Sequence, residues 1–331
     1  MKTSVKASVT VNDILSARNR ILPYIRETNL YRARWLENHL NLDQPVYLKL
    51  ENQQITGSFK PRGALNAILL LSNQEKSQGV ITRSSGNFAQ AVAYASNKLG
   101  VKATVVMPIT APKTKVNGTK NYGATVIQFG TTHKEGTEKV KSLVNENGYT
   151  PLHPFDSPSV IAGQGTIGLE IIEELPNPGT LICPVGGGGL LGGISIVIKD
   201  KSPSTQIIAS EPHQANDFFK SFEKKELKEI ASPNSIADGL LATKVGQHNW
   251  EILKNTVDKA IVVSENDILK SMCLTVTHMP EISIEPSGAV SIAALISLAR
   301  KTPDKIKGPL VCIISGGNVD KNQYPQIFSK L

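Results

Sequence analysis

Residues 46–71 read "VYLKLENQQITGSFKPRGALNAILLL". A short extended run, "VYLKL", gives way through a glycine and a proline to a stretch with Leu65, Ile68 and Leu69 at helical spacing. This is a strand feeding a helix, with Lys60 at the junction. Pro61 disfavours the α region for Lys60 and suits the first helical position itself. The alternation continues downstream: "GVIT" then "FAQAVAYASNKLG", "VKATVVMP" then a lysine-rich amphipathic stretch, and later "ATVIQFG", "LICPV", "QIIAS", "AIVVS" and "LVCIIS". Strands that alternate with helices predict an α/β fold built on largely parallel sheets. In such folds ligands bind beyond the carboxyl ends of the strands.

Four of those ends are unusual: "TGSFK" (56–60), "SSGN" (84–87), "GGGG" (186–189) and "SGGN" (315–318). Glycine allows close backbone approach and small hydroxyl residues add donors, so four such loops suggest one shared ligand. Lys60, beside Phe59, is either a desolvated amine nucleophile or a surface lysine whose stem lies on apolar neighbours. Gly186, Gly187, Gly188 and Gly189 follow a strand and open an apolar helix, where backbone N–H groups and the helix dipole hold a phosphate. The same loop satisfies GxGxxG through Gly187, Gly189 and Gly192, and Glu211 ends the next strand, so a nicotinamide-dependent dehydrogenase is an alternative. That alternative leaves Lys60, "SSGN" and "SGGN" without a task. Ser84, Ser85, Gly86 and Asn87 start a helix and either hold a substrate carboxylate or simply cap it. Ser315 offers a neutral hydroxyl to a ring nitrogen, or sits in a tight turn.

With 331 residues the chain divides into two lobes or carries one lobe inserted in another. Its 40% hydrophobic and 19% charged content predicts a folded protein. The net charge of +8 is spread through segments such as "KEGTEKVKSL", where lysines mix with glutamates, and aromatics are only 5%; no nucleic-acid partner is expected. Cys183, Cys273 and Cys312 lack disulfide or zinc spacing, which points to a reducing, cytoplasmic location. "MKTSVKASVTVND" has no apolar leader core, and no long apolar stretch follows, so neither export nor a membrane span is expected.

Taken together, "TGSFKPRGALNA", "SSGNFAQAVAYA", "GVKATVVMP", "APKTKV", "YGATVI", "HPFD", "VIAGQGTIGLEI", "PVGGGGLLGGI", "EPHQAND", "ADGL", "IEPSGAV" and "SGGNVD" resemble the pyridoxal-phosphate (PLP) enzymes of the serine/threonine dehydratase and serine racemase family. The resemblance implies fold type II, like the tryptophan synthase β-subunit: a large domain (1–80 and 151–331) and a small substrate-side domain (81–150). It implies that Lys60 carries PLP as a Schiff base next to Phe59, and that Gly186 to Gly189 cradle the phosphate. Asn87 would lie near the ring hydroxyl, Gly239 against a ring face, Glu285 beside the cofactor and Ser315 at the pyridine nitrogen. Substrate would meet Ser84, Ser85, Gly86, Asn87 and Phe88. Net chemistry would be dehydration and deamination, serine giving pyruvate and threonine 2-oxobutanoate, each with ammonia. In racemases of the family the residue matching Ser85 handles the second proton transfer, so racemase and 3-hydroxyaspartate lyase activities stay open, as does a non-catalytic ligand-binding homologue. Glu211, the Ala215 carbonyl and Asp217 match a divalent-cation site for Mg²⁺, Mn²⁺ or Ca²⁺; otherwise Asp217 caps the "FFKSF" helix and Glu211 is a solvated strand end. A homodimer is expected, and no C-terminal regulatory domain or isoleucine feedback.

Several positions depart from the family. Phe88 stands where histidine is usual, which bears on the shape and polarity of the substrate site. Relative to animal racemases Ile55 replaces a nucleotide-binding lysine, Phe155 an asparagine, and Ala33 and Arg34 a pair of serines, against nucleotide activation. Arg83, directly before "SSGN", is either a hint toward an acidic substrate side chain or a solvated strand-end charge.

Overall fold

The computed structural model describes residues 9–302, 306–329 and 331. The first eight residues, part of the stretch read for a leader, lie outside the described residues. The strands are β1 (Leu30–Arg32), β2 (Val46–Lys49), β3 (Val80–Arg83), β4 (Ala103–Met107), β5 (Thr125–Gln128), β6 (Thr150–Pro151), β7 (Thr180–Pro184), β8 (Gln206–Pro212), β9 (Lys259–Val263) and β10 (Leu310–Ile313). They form a six-stranded sheet in the order β1-β2-β10-β7-β8-β9 and a four-stranded sheet in the order β5-β4-β3-β6. Every pairing is parallel except β1 with β2. The fold is therefore α/β and two-lobed, with largely parallel sheets.

The helices that carry the rest are α1 (Val11–Ile21), α2 (Arg34–Leu40), α3 (Lys60–Leu69), α4 (Asn73–Gln78), α5 (Asn87–Leu99), α6 (Lys113–Asn121), α7 (His133–Asn147), α8 (Pro158–Glu174), α9 (Gly189–Lys201), α10 (Asp217–Lys224), α11 (Gln247–Thr256), α12 (Glu265–His278), α13 (Pro286–Lys301) and α14 (Tyr324–Phe328). β7 reads as a continuous buried run, Thr180 to Pro184, because helices cover both faces of a parallel sheet. One core packs α12 and α13 against β2 and β10, and another packs α9 against β7 and β8. The smaller sheet shares its core with α3 and α5, drawing in Ala64, Leu65, Ala67 and Ile68. That sheet runs from Val80 to Pro151, one residue beyond each end of the 81–150 lobe expected from sequence. Among the described residues, no helix is long and apolar enough to cross a membrane.

Candidate active site

β10 lies between β2 and β7, which brings the loops after three strands to one place. Ser58 bridges Gly316, Phe59 N–H donates to the Ser315 carbonyl (3.2 Å) and Gly317 N–H to the Gly57 carbonyl (2.8 Å). "TGSFK" and "SGGN" are thus stitched together. The "SSGN" loop joins them from the other sheet through side chains. Asn318 Nδ2 donates to Asn87 Oδ1 (2.8 Å) and to the Thr56 carbonyl (2.8 Å), and Asn87 Nδ2 donates to Glu285 Oε1 (2.7 Å). The other Glu285 oxygen accepts from Asn318 N–H (3.2 Å). Burial first, with Asp238 adding repulsion, pushes the Glu285 carboxyl up to about 7.

Lys60 sits at the strand-to-helix junction as the sequence predicts, but α3 begins on Lys60 itself, with Pro61 second rather than first. Its ammonium donates to the Pro154 carbonyl (3.0 Å) and lies 4.9 Å from the centre of the Phe59 ring and 5.5 Å from that of Phe88. Among the described residues no carboxylate touches it. Desolvation therefore dominates and pushes the amine down to about 8, with Glu285 opposing from a distance. Phe88 is 2% exposed and faces the lysine, so histidine's usual place is taken here by an apolar wall.

The helix starts divide into two kinds. Helices α1, α4, α7 and α12 begin with complete capping boxes, at Thr10, Ser72, Thr132 and Ser264. Helix α11 begins on the Asp156 carboxylate, which accepts from Gln247 and His248 N–H groups, both at 2.9 Å. Helices α2, α3, α6, α8 and α13 lack a side-chain cap as well, but α5 at Gly86 and α9 at Gly188 combine that lack with a glycine at the cap position. Simple capping by Ser84 or Ser85 is thereby overturned: Ser84 Oγ reaches only Gly86 N–H, at 3.4 Å. The first N–H groups of these two helices are left for anions.

The glycine loop is a tight cradle. Gly188 has φ +92°, and a Cβ on Gly187 would lie 2.2 Å from the Phe155 ring. Asn249 Nδ2 ties the loop by donating to the Gly187 carbonyl (2.9 Å) and the Phe155 carbonyl (3.0 Å). Ser315 is buried and its hydroxyl donates to the Ser287 carbonyl (3.3 Å), while Gly239 N–H donates to Ser287 Oγ (3.0 Å). Thr56 Oγ1 and Ser58 Oγ, both buried beside Lys60, have no partner among the described residues. A low-pKa amine, an uncapped glycine cradle and unpartnered hydroxyls fit an aromatic aldehyde that carries a phosphate.

The acid required by a nicotinamide site is committed elsewhere. Glu211 is 1% exposed, and its oxygens accept from Phe218 N–H (3.1 Å) and Phe219 N–H (2.6 Å), so Glu211 caps α10. This also corrects the reading of Glu211 as a solvated strand end with Asp217 as the cap. Asp217 is fully buried, neither oxygen has a well-formed hydrogen bond among the described residues, and burial pushes it up to about 7 against weaker opposition from backbone N–H groups. Glu211 is driven up as well, by burial and by Asp217. Among the described residues no three His, Cys, Asp or Glu side chains gather as a metal cluster. Arg83 is half-buried rather than solvated, which corrects that reading too.

Sequence reasoning missed Asn318 as the link between loops, Pro154 as the acceptor for Lys60, and Asn249. Asn318 and Pro154 lay within quoted motifs, "SGGNVD" and "HPFD"; Asn249 carries no local signal.

The family model for the pyridoxal-phosphate dependent enzymes matches residues 21–316. A catabolic L-threonine dehydratase, TdcB, of Staphylococcus aureus strain N315 is 42% identical over 313 residues, 94% of this chain and 90% of its own. Maize serine racemase superposes with a TM-score of 0.92 at 34% identity, covering 98% of both chains. Serine racemase from Dictyostelium discoideum gives 0.87 at 42% identity, covering 95% of this chain and 100% of its own. With these likenesses running almost end to end through the four loops that enclose Lys60, the chain belongs to the pyridoxal-phosphate dependent enzymes of the serine/threonine dehydratase and serine racemase family.

Proposed function

We propose that the chain is a PLP-dependent ammonia-lyase that converts L-threonine to 2-oxobutanoate and L-serine to pyruvate, each with ammonia. The observation that carries this reading is the Lys60 amine, which meets a carbonyl but, among the described residues, no carboxylate, pushed down to about 8 and set among two uncapped helix starts. When bound, PLP supplies a conjugated electron-withdrawing ring that acidifies the Cα–H bond of the attached amino acid. The chain supplies the rest. Lys60 holds the cofactor and, once freed, takes the Cα proton, for which an amine near 8 keeps a useful neutral fraction at physiological pH. Gly186 to Gly189 hold the phosphate at the start of α9. Ser84 to Asn87 hold the substrate carboxylate at the start of α5. Asn87, fixed by Glu285 and Asn318, would lie near the ring hydroxyl, Gly239 against a ring face, and Ser315 at the ring nitrogen. A neutral hydroxyl there would leave the nitrogen unprotonated and the ring a weaker electron sink. Phe59 and Phe88 exclude water from Lys60.

Release of 2-oxo acid from threonine and serine, with Lys60→Ala as the control, tests this. No 2-oxo acid from either substrate would reject it. Racemisation is the second reading, favoured by Ser85, half-buried on the loop that faces the site and suited to a second proton transfer; chiral analysis of recovered serine separates the two.

The reading extends to a cation held by Glu211, the Ala215 carbonyl and Asp217, since the unpartnered Asp217 oxygens suit Mg²⁺, Mn²⁺ or Ca²⁺. A site binding only the folded state adds about 2.7 kcal/mol at a hundredfold excess over Kd. Chelation should therefore lower Tm, and restored Mg²⁺ or Ca²⁺ should recover it in wild type but not in Asp217→Ala. It extends also to a homodimer, testable by sedimentation, to a cytoplasmic location consistent with three free cysteines, and to a small lobe near 81–150 moving over substrate.

A further inference from the structure

Arg83 ends β3 and directly precedes the "SSGN" loop. It is half-buried, and among the described residues it makes no hydrogen bond or ion pair; desolvation alone acts on it and lowers its pKa. Among the described residues the fully buried cations are matched, Arg62 by Glu51 and Glu170 and Lys49 by Glu170, while half-buried Arg18 pairs with Glu173 and half-buried Arg20 donates to the Asn66 amide oxygen. A guanidinium taken partly out of water without an acid is costly, so an unmatched one beside a substrate loop suits an anion that arrives from outside.

The surroundings reinforce this. Gly136, in the first turn of α7, has no side chain where a Cβ would lie 2.9 Å from Arg83 Cδ and 3.3 Å from its Cγ. Arg83 can therefore lie across α7 rather than extend into solvent. Burial first, and then the field of Arg83, lowers the pKa of His133 at the start of α7; burial leads at His153 too, where Lys60 and Arg83 add to it and Asp156 opposes. Asp156 is already engaged at the start of α11. His153 Nδ1 accepts from Asp156 N–H (2.8 Å), so in the neutral ring the proton sits on Nε2, a donor. Arg83 thus brings a positive charge to a rim shared with two imidazoles, His133 and His153, that are held toward their neutral forms, between the loop expected to take the α-carboxylate and the segment that holds Lys60.

We propose that Arg83 is a specificity residue that receives a second carboxylate, so that this site takes β-hydroxy amino acids with an acidic side chain, 3-hydroxyaspartate being the simplest. This rests on the lyase reading of the Lys60 site. The chemistry balances as it does for threonine: the Cα–H and Cβ–O bonds break, water leaves, and hydrolysis takes water back as the amine departs as ammonia. The net products are a 2-oxo dicarboxylate and ammonium. A planar guanidinium pairs with a carboxylate by two parallel hydrogen bonds, which neither serine nor threonine can offer.

The test uses the PLP-loaded enzyme and three substrates: threonine, 3-hydroxyaspartate and O-phosphoserine. Arg83→Ala should reduce kcat/KM for 3-hydroxyaspartate at least about tenfold more than that for threonine, the loss of a charge-assisted pair. Arg83→Lys should restore part of it, and Arg83→Gln serves if the alanine variant does not fold. L-Aspartate, which has the second carboxylate but no β-hydroxyl, should bind and lose at least about tenfold in affinity in the same variant. Equal losses for threonine and 3-hydroxyaspartate, or aspartate binding that ignores Arg83, would overturn the assignment. Arg83-dependent turnover confined to O-phosphoserine would overturn the carboxylate in favour of a phosphate ester. If wild type turns over none of the three, the lyase reading fails, and aspartate binding still reports on Arg83 by itself.

Discussion

Two residues apart on α3, the Arg62 guanidinium is closed in by Glu51 and Glu170, whereas the Lys60 ammonium meets a carbonyl, two aromatic rings and no carboxylate. Both are basic residues of one "KPR" tripeptide, Arg62 fully and Lys60 partly removed from water. Around Arg62, pairing outweighs desolvation and the group is driven above its ordinary pKa, with Lys49 completing the network through Glu170 and the Thr28 carbonyl. Around Lys60, desolvation wins and the amine falls to about 8. A matched buried charge holds shape, and an unmatched one retains the reactivity that pairing would quench.

The comparison breaks most sharply by substitution at Lys60. Lys60→Ala should lose at least about a thousandfold in kcat while its Tm stays near that of wild type, because the side chain removed was an unpaired, desolvated cation. Activity within tenfold of wild type would end the distinction. Arg62→Met should do the reverse to stability. It strands Glu51 without a counter-charge and leaves Glu170 only Lys49, and breaking a buried pair costs about 3–5 kcal/mol. Urea melting with an unchanged m-value should show it as a lower midpoint; a midpoint within error of wild type would mean the network contributes little.

A pH series sharpens the same contrast. In the apoprotein only neutral Lys60 attacks the cofactor aldehyde, so the rate of combination with PLP should rise with pH and level off above about 8. A rate still climbing toward 10.5, the ordinary lysine value, would contradict the desolvated setting. The sign for stability follows. The folded state releases its Lys60 proton at about 8 and the unfolded chain near 10.5, so this lysine's penalty is full below pH 8 and is relieved between the two. The smallest effect is expected at Phe88, whose ring lies 5.5 Å from the Lys60 nitrogen. Phe88→His should change the ratio of specificity constants for serine and threonine by up to about tenfold, about 1.4 kcal/mol. An unmoved ratio would mean the ring does not border the substrate.

The strand, loop and helix units were legible because each is local: an extended run, a glycine or hydroxyl loop, then an apolar period of helical length. Lys60, Asn87, Ser315 and the glycine loop fell out of that pattern. What joins them did not, because it depends on β10 inserting between β2 and β7. Asn318 bridging Thr56 and Asn87, and Glu285 accepting from both Asn87 and Asn318, are contacts between segments more than thirty residues apart in sequence. Burial was equally hidden. Glu211 reads as a strand-end acid, yet it is enclosed and caps α10. Arg83 reads as a surface charge, yet the missing side chain at Gly136 lets it lie against α7.

The most direct measurement asks which amine holds the cofactor. Borohydride reduction of the PLP-loaded protein makes the linkage permanent, and peptide mass spectrometry then locates it. The label is expected on Lys60, within "ITGSFKPR", at close to one per chain, and absent from that peptide in Lys60→Ala. A label on another lysine, or full labelling of the variant, would contradict the assignment of Lys60 as the cofactor-bearing and proton-transferring residue.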